Sequence, residues 1–268
     1  MRRAVNTLVF ADLLFVLFLA VSAFFDGVTS DVFYLVGFAL PIFAALTLNK
    51  GKLAPPLAPL KRRDAFFVLP MIPVTVALVM GLSALTSLLL GAFGLESSTA
   101  LKGGFFEAVL RYAVLTSVLE EILFRYLPMR IAAQYSPRAT VFLSALLFSL
   151  VHADLFQFPY AFAAGVIFIA MDMATKSVIP SIVAHFLNNL LAVTFYFYSQ
   201  SVVLVSVCIA LLGILALAGV ALIAVKRKAY ADRFSSAFVK GNEKRDDFFS
   251  VLLLAVPMIA IAIISLIS

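Results

Sequence analysis

FFEAVLRYAVLTSVLEEILFRYLP, residues 105–128, decides how this chain is read. A helix rises 1.5 Å per residue, so about 20 apolar residues cross roughly 30 Å of hydrocarbon, and this stretch is long enough. Yet it carries five ionisable side chains, Glu107, Arg111, Glu120, Glu121 and Arg125. Inside a bilayer a charged side chain at a helix centre costs at least about 2.5–3.5 kcal/mol, so each needs a partner or a task.

The rest of the chain places that stretch in a membrane. Of 268 residues, 64% are hydrophobic and 13% charged. A soluble domain would be about half apolar and about a quarter charged, so the apolar excess must face lipid. Nine apolar stretches follow one another near 4–25, 31–49, 65–93, 104–128, 138–153, 158–175, 178–199, 201–225 and 248–267. The fifth is short for a full span. Pro41, Pro70 and Pro73 fall inside these stretches, which membrane helices tolerate when neighbours satisfy the freed backbone groups. The fold expected is an all-α, polytopic transmembrane bundle of eight or nine helices, a single integral membrane domain over 1–268 without internal repeats. Val21-Ser22-Ala23 looks like a signal-cleavage site, but Asp12 and the length of the first run favour a retained helix.

Lysine and arginine placement predicts the orientation. With the N-terminus in the cytoplasm and alternating spans, 18 of the 20 basic residues fall at cytoplasmic ends. They cluster at Arg2 and Arg3, from Lys50 to Arg63, at Arg125, Arg130 and Arg138, at Lys176, and from Lys226 to Arg245. The opposite loops carry Asp26, Asp31, Glu96 and Asp154. A net charge of +6 distributed this way points to a lipid bilayer and not to nucleic acid as partner. The basic stretches 51–64 and 226–247 read as loops of positive-inside topology that also suit anionic headgroups. The lone Cys208, in SVVLVSVCIALLG, reads as a small lipid- or core-facing residue.

Within 105–128, Glu107 and Arg111 lie one helical turn apart and form an expected structural pair, as do Glu121 and Arg125 in the favourable acid-then-base order. Adjacent helical residues point about 100° apart. Glu120 is therefore left without a local partner, suited to act as a general base or else to make a packing hydrogen bond. The two histidines, His152 and His185, both lie in apolar stretches. Phe148 stands four residues before His152; Asn188 and Asn189 stand three and four after His185, on its helical face. Asp172 reads as a headgroup-facing residue or a partner of Lys176, Asp12 as lining the buried face of the first helix, and Asp154 as a solvated loop acid.

Three patterns, Glu-Glu-x-x-x-Arg at 120–125, Phe-x-x-x-His at 148–152 and His-x-x-x-Asn at 185–189, resemble in order and spacing the CAAX prenyl endopeptidase and bacteriocin-processing family of intramembrane proteases. The resemblance covers about 104–200, the expected catalytic core of four helices. It implies that Glu120 with His152 binds and deprotonates the attacking water, and that His185 and Asn189 stabilise the oxyanion. Glu121 and Arg125 would brace the site, with Phe148 and Asn188 in support. The implied substrate is a membrane-embedded or lipidated protein or peptide. A metal-free, glutamate-dependent reaction is sufficient. Zinc on Glu120, His152 and His185 is the alternative, although the sequence lacks the His-Glu-x-x-His helix. Other readings are a proton-coupled transporter or channel using the same residues as a relay, or a non-catalytic immunity or scaffold protein. Positive-inside bias suits a prokaryotic plasma membrane. Measured along ideal helices, Glu120 lies about 15 Å from Arg130 and His185 about 14 Å from Lys176, but His152 lies about 21 Å from Arg138. A tilted fifth helix, or a 126–137 connection that dips inward, would bring them to one level.

Overall fold

In the computed structural model, residues 2–238 are described apart from 23, 26, 56, 96–100 and 135. The expected ninth stretch, 248–267, lies outside the described residues, as do Asp26, Glu96, Ala23 and the basic residues after 238. Among the described residues the chain is helical, with no strand. The helices are α1 (Arg2–Ser22), α2 (Gly27–Leu48), α3 (Arg62–Val68), α4 (Met71–Ala92), α5 (105–131), α6 (Pro137–Leu150), α7 (Phe158–Thr175), α8 (Ile179–Tyr198), α9 (Val202–Val225) and α10 (Arg227–Phe238). Among the described residues six helical stretches have the length and hydropathy to cross a membrane, Arg2–Ser22, Thr29–Leu48, Arg62–Ala92, Phe158–Thr175, Ile179–Tyr198 and Val202–Val225. The chain is a polytopic helical bundle, as its composition requires.

The helix boundaries follow from local chemistry. Pro70 has no N–H to offer a helical hydrogen bond, and the expected 65–93 stretch is interrupted at Leu69 and Pro70 between α3 and α4, although both residues keep right-handed helical dihedrals. At the start of α6, the Ser136 hydroxyl accepts from the Ala139 amide at 3.3 Å and Pro137 occupies the first turn, where its missing N–H costs nothing. The charged stretch after 225, expected as a loop, holds α10, which packs Tyr230 and Arg233 onto the bundle.

The four helices α5 to α8 form the centre. On one side α1 and α2 pack against α5 and α6 through Val5, Leu8, Phe15, Phe38, Leu123, Phe124, Leu143 and Leu147, all buried. On the other, α3 and α4 pack against α7 and α8 through Val68, Ile72, Val76, Phe168, Met171 and Ala184. α6 and α7 approach closely because Gly165 has no side chain: a Cβ there would lie 2.8 Å from the Ala145 Cα. Small residues play this role in membrane bundles, where packing replaces the hydrophobic drive. α9 packs on α4 and is otherwise exposed along its apolar length, as suits a helix in lipid; Cys208 lies on it, partly exposed.

α5 departs from a plain span. It contains two π-helical turns, Val109–Leu115 and Ile122–Tyr126, on either side of the short α-helical Thr116–Glu121. The wider turns leave backbone groups for side chains to satisfy. The Thr116 hydroxyl donates to the Arg111 carbonyl at 2.9 Å, five residues back. Pro128 has no N–H to offer the Phe124 carbonyl, and the Ser144 hydroxyl of α6 donates to it instead. Arg111 makes a two-pronged ion pair with Asp31 of α2, at 2.5 and 3.0 Å. The expected partner Glu107 is second, at 3.6 Å, because Asp31 presents both oxygens to the guanidinium fork.

The basic ends gather at one end of the bundle. Arg3 donates to the Leu48 carbonyl at 2.7 Å, Arg130 to the Ala54 carbonyl at 2.7 Å, and the Ala58 amide to the Lys176 carbonyl at 3.0 Å. Ser136 and Pro137, where α6 begins, are buried.

Candidate functional site

Glu120 and Glu121 end the α-helical piece of α5, and their divergence separates two environments. Glu121 points into the protein. It and Arg125 are both 0% exposed, with Arg125 Nε 3.1 Å from Glu121 Oε2. The Arg125 guanidinium also lies over the Phe148 ring, 4.1 Å from its centroid, and 5.5 Å from that of Phe168. The cation is thus enclosed by two aromatic rings and a carboxylate, while its guanidinium nitrogens make no hydrogen bond among the described residues.

Glu121 holds a histidine as well. Its Oε1 lies 2.8 Å from His185 Nδ1 on α8. A hydrogen bond at one ring nitrogen fixes the orientation of the other. Nε2 of His185 is thereby aimed at Glu120, whose Oε2 is 3.8 Å away. Glu120 Oε2 is buried, with no hydrogen-bond partner among the described residues. The distance exceeds a direct hydrogen bond, a separation that a bridging water can fill.

His152 lies just past the C-terminal end of α6, in the turn that follows Leu150. Its Nδ1 is 2.7 Å from the Phe148 carbonyl, which leaves Nε2 to the cavity. The Phe148 ring stands edge-on to both histidines, with centroids 5.0 Å from His152 and 5.7 Å from His185. One ring thus supports Arg125 with its face and spaces the two imidazoles. Asp154, read as a solvated acid, instead accepts from the Phe156 amide at 2.7 Å and from Gln157 at 2.9 Å, building the turn into α7.

On α8, His185, Asn188 and Asn189 share a face, as their spacing requires. Asn189 Nδ2 donates to the Tyr112 carbonyl at 2.9 Å, in the first π turn of α5, and Asn188 Nδ2 donates to Asn189 Oδ1 at 3.3 Å. Each Nδ2 carries a second N–H, so Asn189 keeps a donor beyond the one that anchors it.

Glu120, Phe148, His152, His185, Asn188 and Asn189 line one cavity of about 460 Å³. Its other walls come from α2, α4 and α7, with Tyr34, Val79, Met80, Ala161 and Ala164. The site residues read from the sequence therefore meet. Glu121 and Arg125 stand behind the cavity wall, where they hold His185 and Phe148.

Three participants escaped the sequence reading. Asp172 is fully buried and accepts from Ser181 of α8, at 3.1 Å from the amide and 2.6 Å from the hydroxyl; it neither faces headgroups nor pairs with Lys176. A signal existed: Val178, the residue that opens α8, has no side-chain acceptor, and the first-turn N–H groups of a buried helix need one. Tyr34 reaches the cavity from α2, its hydroxyl 3.0 Å from that of Thr116, and no spacing pattern connects residues 82 apart. Asp31 is the third, through Arg111. The buried position expected for Asp12 is found, with neither carboxylate oxygen hydrogen-bonded among the described residues.

Among the described residues no group of three His, Cys, Asp or Glu side chains is gathered that could hold a metal ion.

Residues 102–191 match the family described as type II CAAX prenyl endopeptidase Rce1-like. This is the family that the three motifs resemble, and the matched segment holds all of them. Neither the curated proteins nor the solved structures contain a match to the chain.

Proposed function

We propose that the Rce1-like segment, residues 102–191, is the catalytic part of an intramembrane endopeptidase in which Glu120 and His152 activate water while His185 and Asn189 receive the oxyanion. The observation that carries this reading is the position of Glu120: a buried carboxylate with a free oxygen, facing two histidines across one cavity. Water attack needs a base within hydrogen-bond reach. The tetrahedral intermediate needs donors held in advance in a water-poor place.

Both requirements map onto separate groups here. Glu120 takes the proton of a water that it shares with His152 Nε2, and returns it to the departing amine. When His185 carries both ring protons, Nδ1–H donates to Glu121, and Nε2–H becomes a charged donor to the oxyanion. The anchored Asn189 amide supplies a second donor through its free N–H. The reaction as derived uses no metal. The substrate is a protein or peptide segment embedded in, or lipid-tethered to, the membrane.

The decisive experiment is cleavage of membrane-tethered fluorogenic peptides by purified protein, wild type against Glu120→Gln, each with and without chelator. Loss of a general base costs about 10²–10⁴ in rate. The expected result is a loss of that size in the variant with substrate binding retained, and wild-type turnover that chelator leaves unchanged. Equal cleavage by both forms would remove Glu120 from the mechanism, and inhibition by chelator would replace the metal-free route.

A further inference from the structure

A second cavity, of about 380 Å³, lies at the basic end of the bundle, away from the catalytic cavity and sharing no residue with it. Three separate segments build it: Ala58, Lys61, Arg63 and Asp64 before and within α3; Ala174, Thr175 and Lys176 at the end of α7; and Arg233 and Ser236 of α10. Four cationic side chains thus face one carboxylate. That carboxylate is already engaged, since Asp64 is the ion-pair partner of Arg233. Arg233 is further fixed by donating to the Ala174 carbonyl at 3.1 Å and by lying 4.4 Å above the Phe67 ring. Among the described residues neither Lys61 nor Lys176 has a carboxylate partner.

The surroundings select a ligand chemistry. Two candidate spans, Arg62–Ala92 and Phe158–Thr175, begin and end at this cavity, so it lies where hydrocarbon gives way to headgroups. Lys176 caps α7 in the left-handed conformation, φ 57°, with the Ala58 amide on its carbonyl, and Arg233 takes up the Ala174 carbonyl at the same helix end. The Thr175 and Ser236 hydroxyls on the same walls already donate to the Met171 and Arg233 carbonyls, so recognition of an anion falls to the cations. Basic pockets between spans at a headgroup level bind anionic lipid, with phosphate as the recognised group.

We propose that this cavity is a binding site for the phosphate headgroup of an anionic phospholipid, with Lys61 and Lys176 as the cations that have no carboxylate partner among the described residues and Arg233, held by Asp64, as the fixed one. A lipid seated there ties α10 and the 58–64 segment to α7, the helix that carries Ala161, Ala164 and Phe168 of the catalytic cavity wall. The proposal does not depend on the proteolytic reading.

The test uses the full chain in neutral detergent. Thermal stability and lipid retention by native mass spectrometry are measured with added phosphatidylglycerol, phosphatidylcholine or inorganic phosphate. The comparison is wild type against the doubles Lys61→Gln/Lys176→Gln and Lys61→Arg/Lys176→Arg. Each basic residue near a membrane surface contributes roughly fivefold in affinity, so retention of phosphatidylglycerol falls about thirtyfold in the glutamine double and persists in the arginine double. Wild type is stabilised by phosphatidylglycerol and not by phosphatidylcholine. Equal response to the two lipids, or undiminished retention in a folded glutamine double, overturns the site. Stabilisation by millimolar inorganic phosphate equal to that by lipid overturns the lipid assignment in favour of a free phosphate site. If the glutamine double does not fold, the single Lys176→Gln, expected to lose about fivefold, takes its place.

Discussion

Glu121 does more for this site than its neighbour in sequence would suggest. One oxygen meets Arg125 and the other His185, at 3.1 and 2.8 Å, inside a wall without water access. Its removal has two consequences that separate experimentally. Glu121→Gln leaves Arg125 as an uncompensated buried cation, which costs about 3–5 kcal/mol of stability. It also releases the orientation of His185, and partners that orient a working group are typically worth about 10–100-fold. The double variant Glu121→Gln/Arg125→Met removes both charges. Its melting temperature is expected to recover most of the loss, while its kcat stays at the level of the single variant and KM changes little. Recovery of both together would show that Glu121 acts through stability alone. Phe148 works in the same indirect way, its face against Arg125 and its edges against the two histidines.

Among the elements, α5 and the α6–α7 pair determine how the site closes. The π turns on either side of Thr116–Glu121 change which faces of α5 the flanking residues occupy, and such turns recur at functional sites. One turn presents the Tyr112 carbonyl to Asn189, linking α5 to α8. Across the site, α6 carries Phe148 and delivers His152, and its distance from α7 is set by Gly165 against Ala145. Gly165→Val must push these helices apart, since the obstructing atoms belong to backbone. The expected outcome is a loss of about 1–3 kcal/mol, the usual cost of overpacking, with a fall in kcat as Phe148 and His152 retreat from His185. Gly213→Val on α9, where an added Cβ meets nothing within 4 Å, is the matched control and leaves melting temperature and turnover unchanged. Equal effects at the two positions would show that α6–α7 spacing does not set the site.

At the level of the bundle, the gathered basic ends define one face, which the positive-inside rule predicts to be the cytoplasmic one. α4 then runs from the cytoplasmic side to the opposite one, with Lys61 before its start and the exposed Phe93 at its end. In a Cys208→Ser background, Lys61→Cys and Phe93→Cys report the two sides. A membrane-impermeant maleimide added to intact bacterial spheroplasts is expected to label Phe93→Cys at once and Lys61→Cys only after lysis. The reverse pattern would invert the topology, and the headgroup cavity with it.

Periodicity and charge in the chain already determine a great deal. A composition this apolar cannot make a soluble surface, eight of the expected stretches recur as the described helices, and the three motifs share a cavity because helical spacing and the order of spans leave them little choice. Local rules also identified the Glu121–Arg125 pair, since residues one turn apart meet whatever surrounds them. They failed where partners are distant in sequence. Asp31 captures Arg111, Asp172 holds Ser181, Tyr34 reaches Thr116, and Asn189 finds a carbonyl offered by a π turn. Those contacts depend on how helices cross, on which glycine permits approach, and on which carbonyl a proline has left free. A buried polar group must be satisfied, but the chain alone does not say by whom; the packing of the helices chooses the partner.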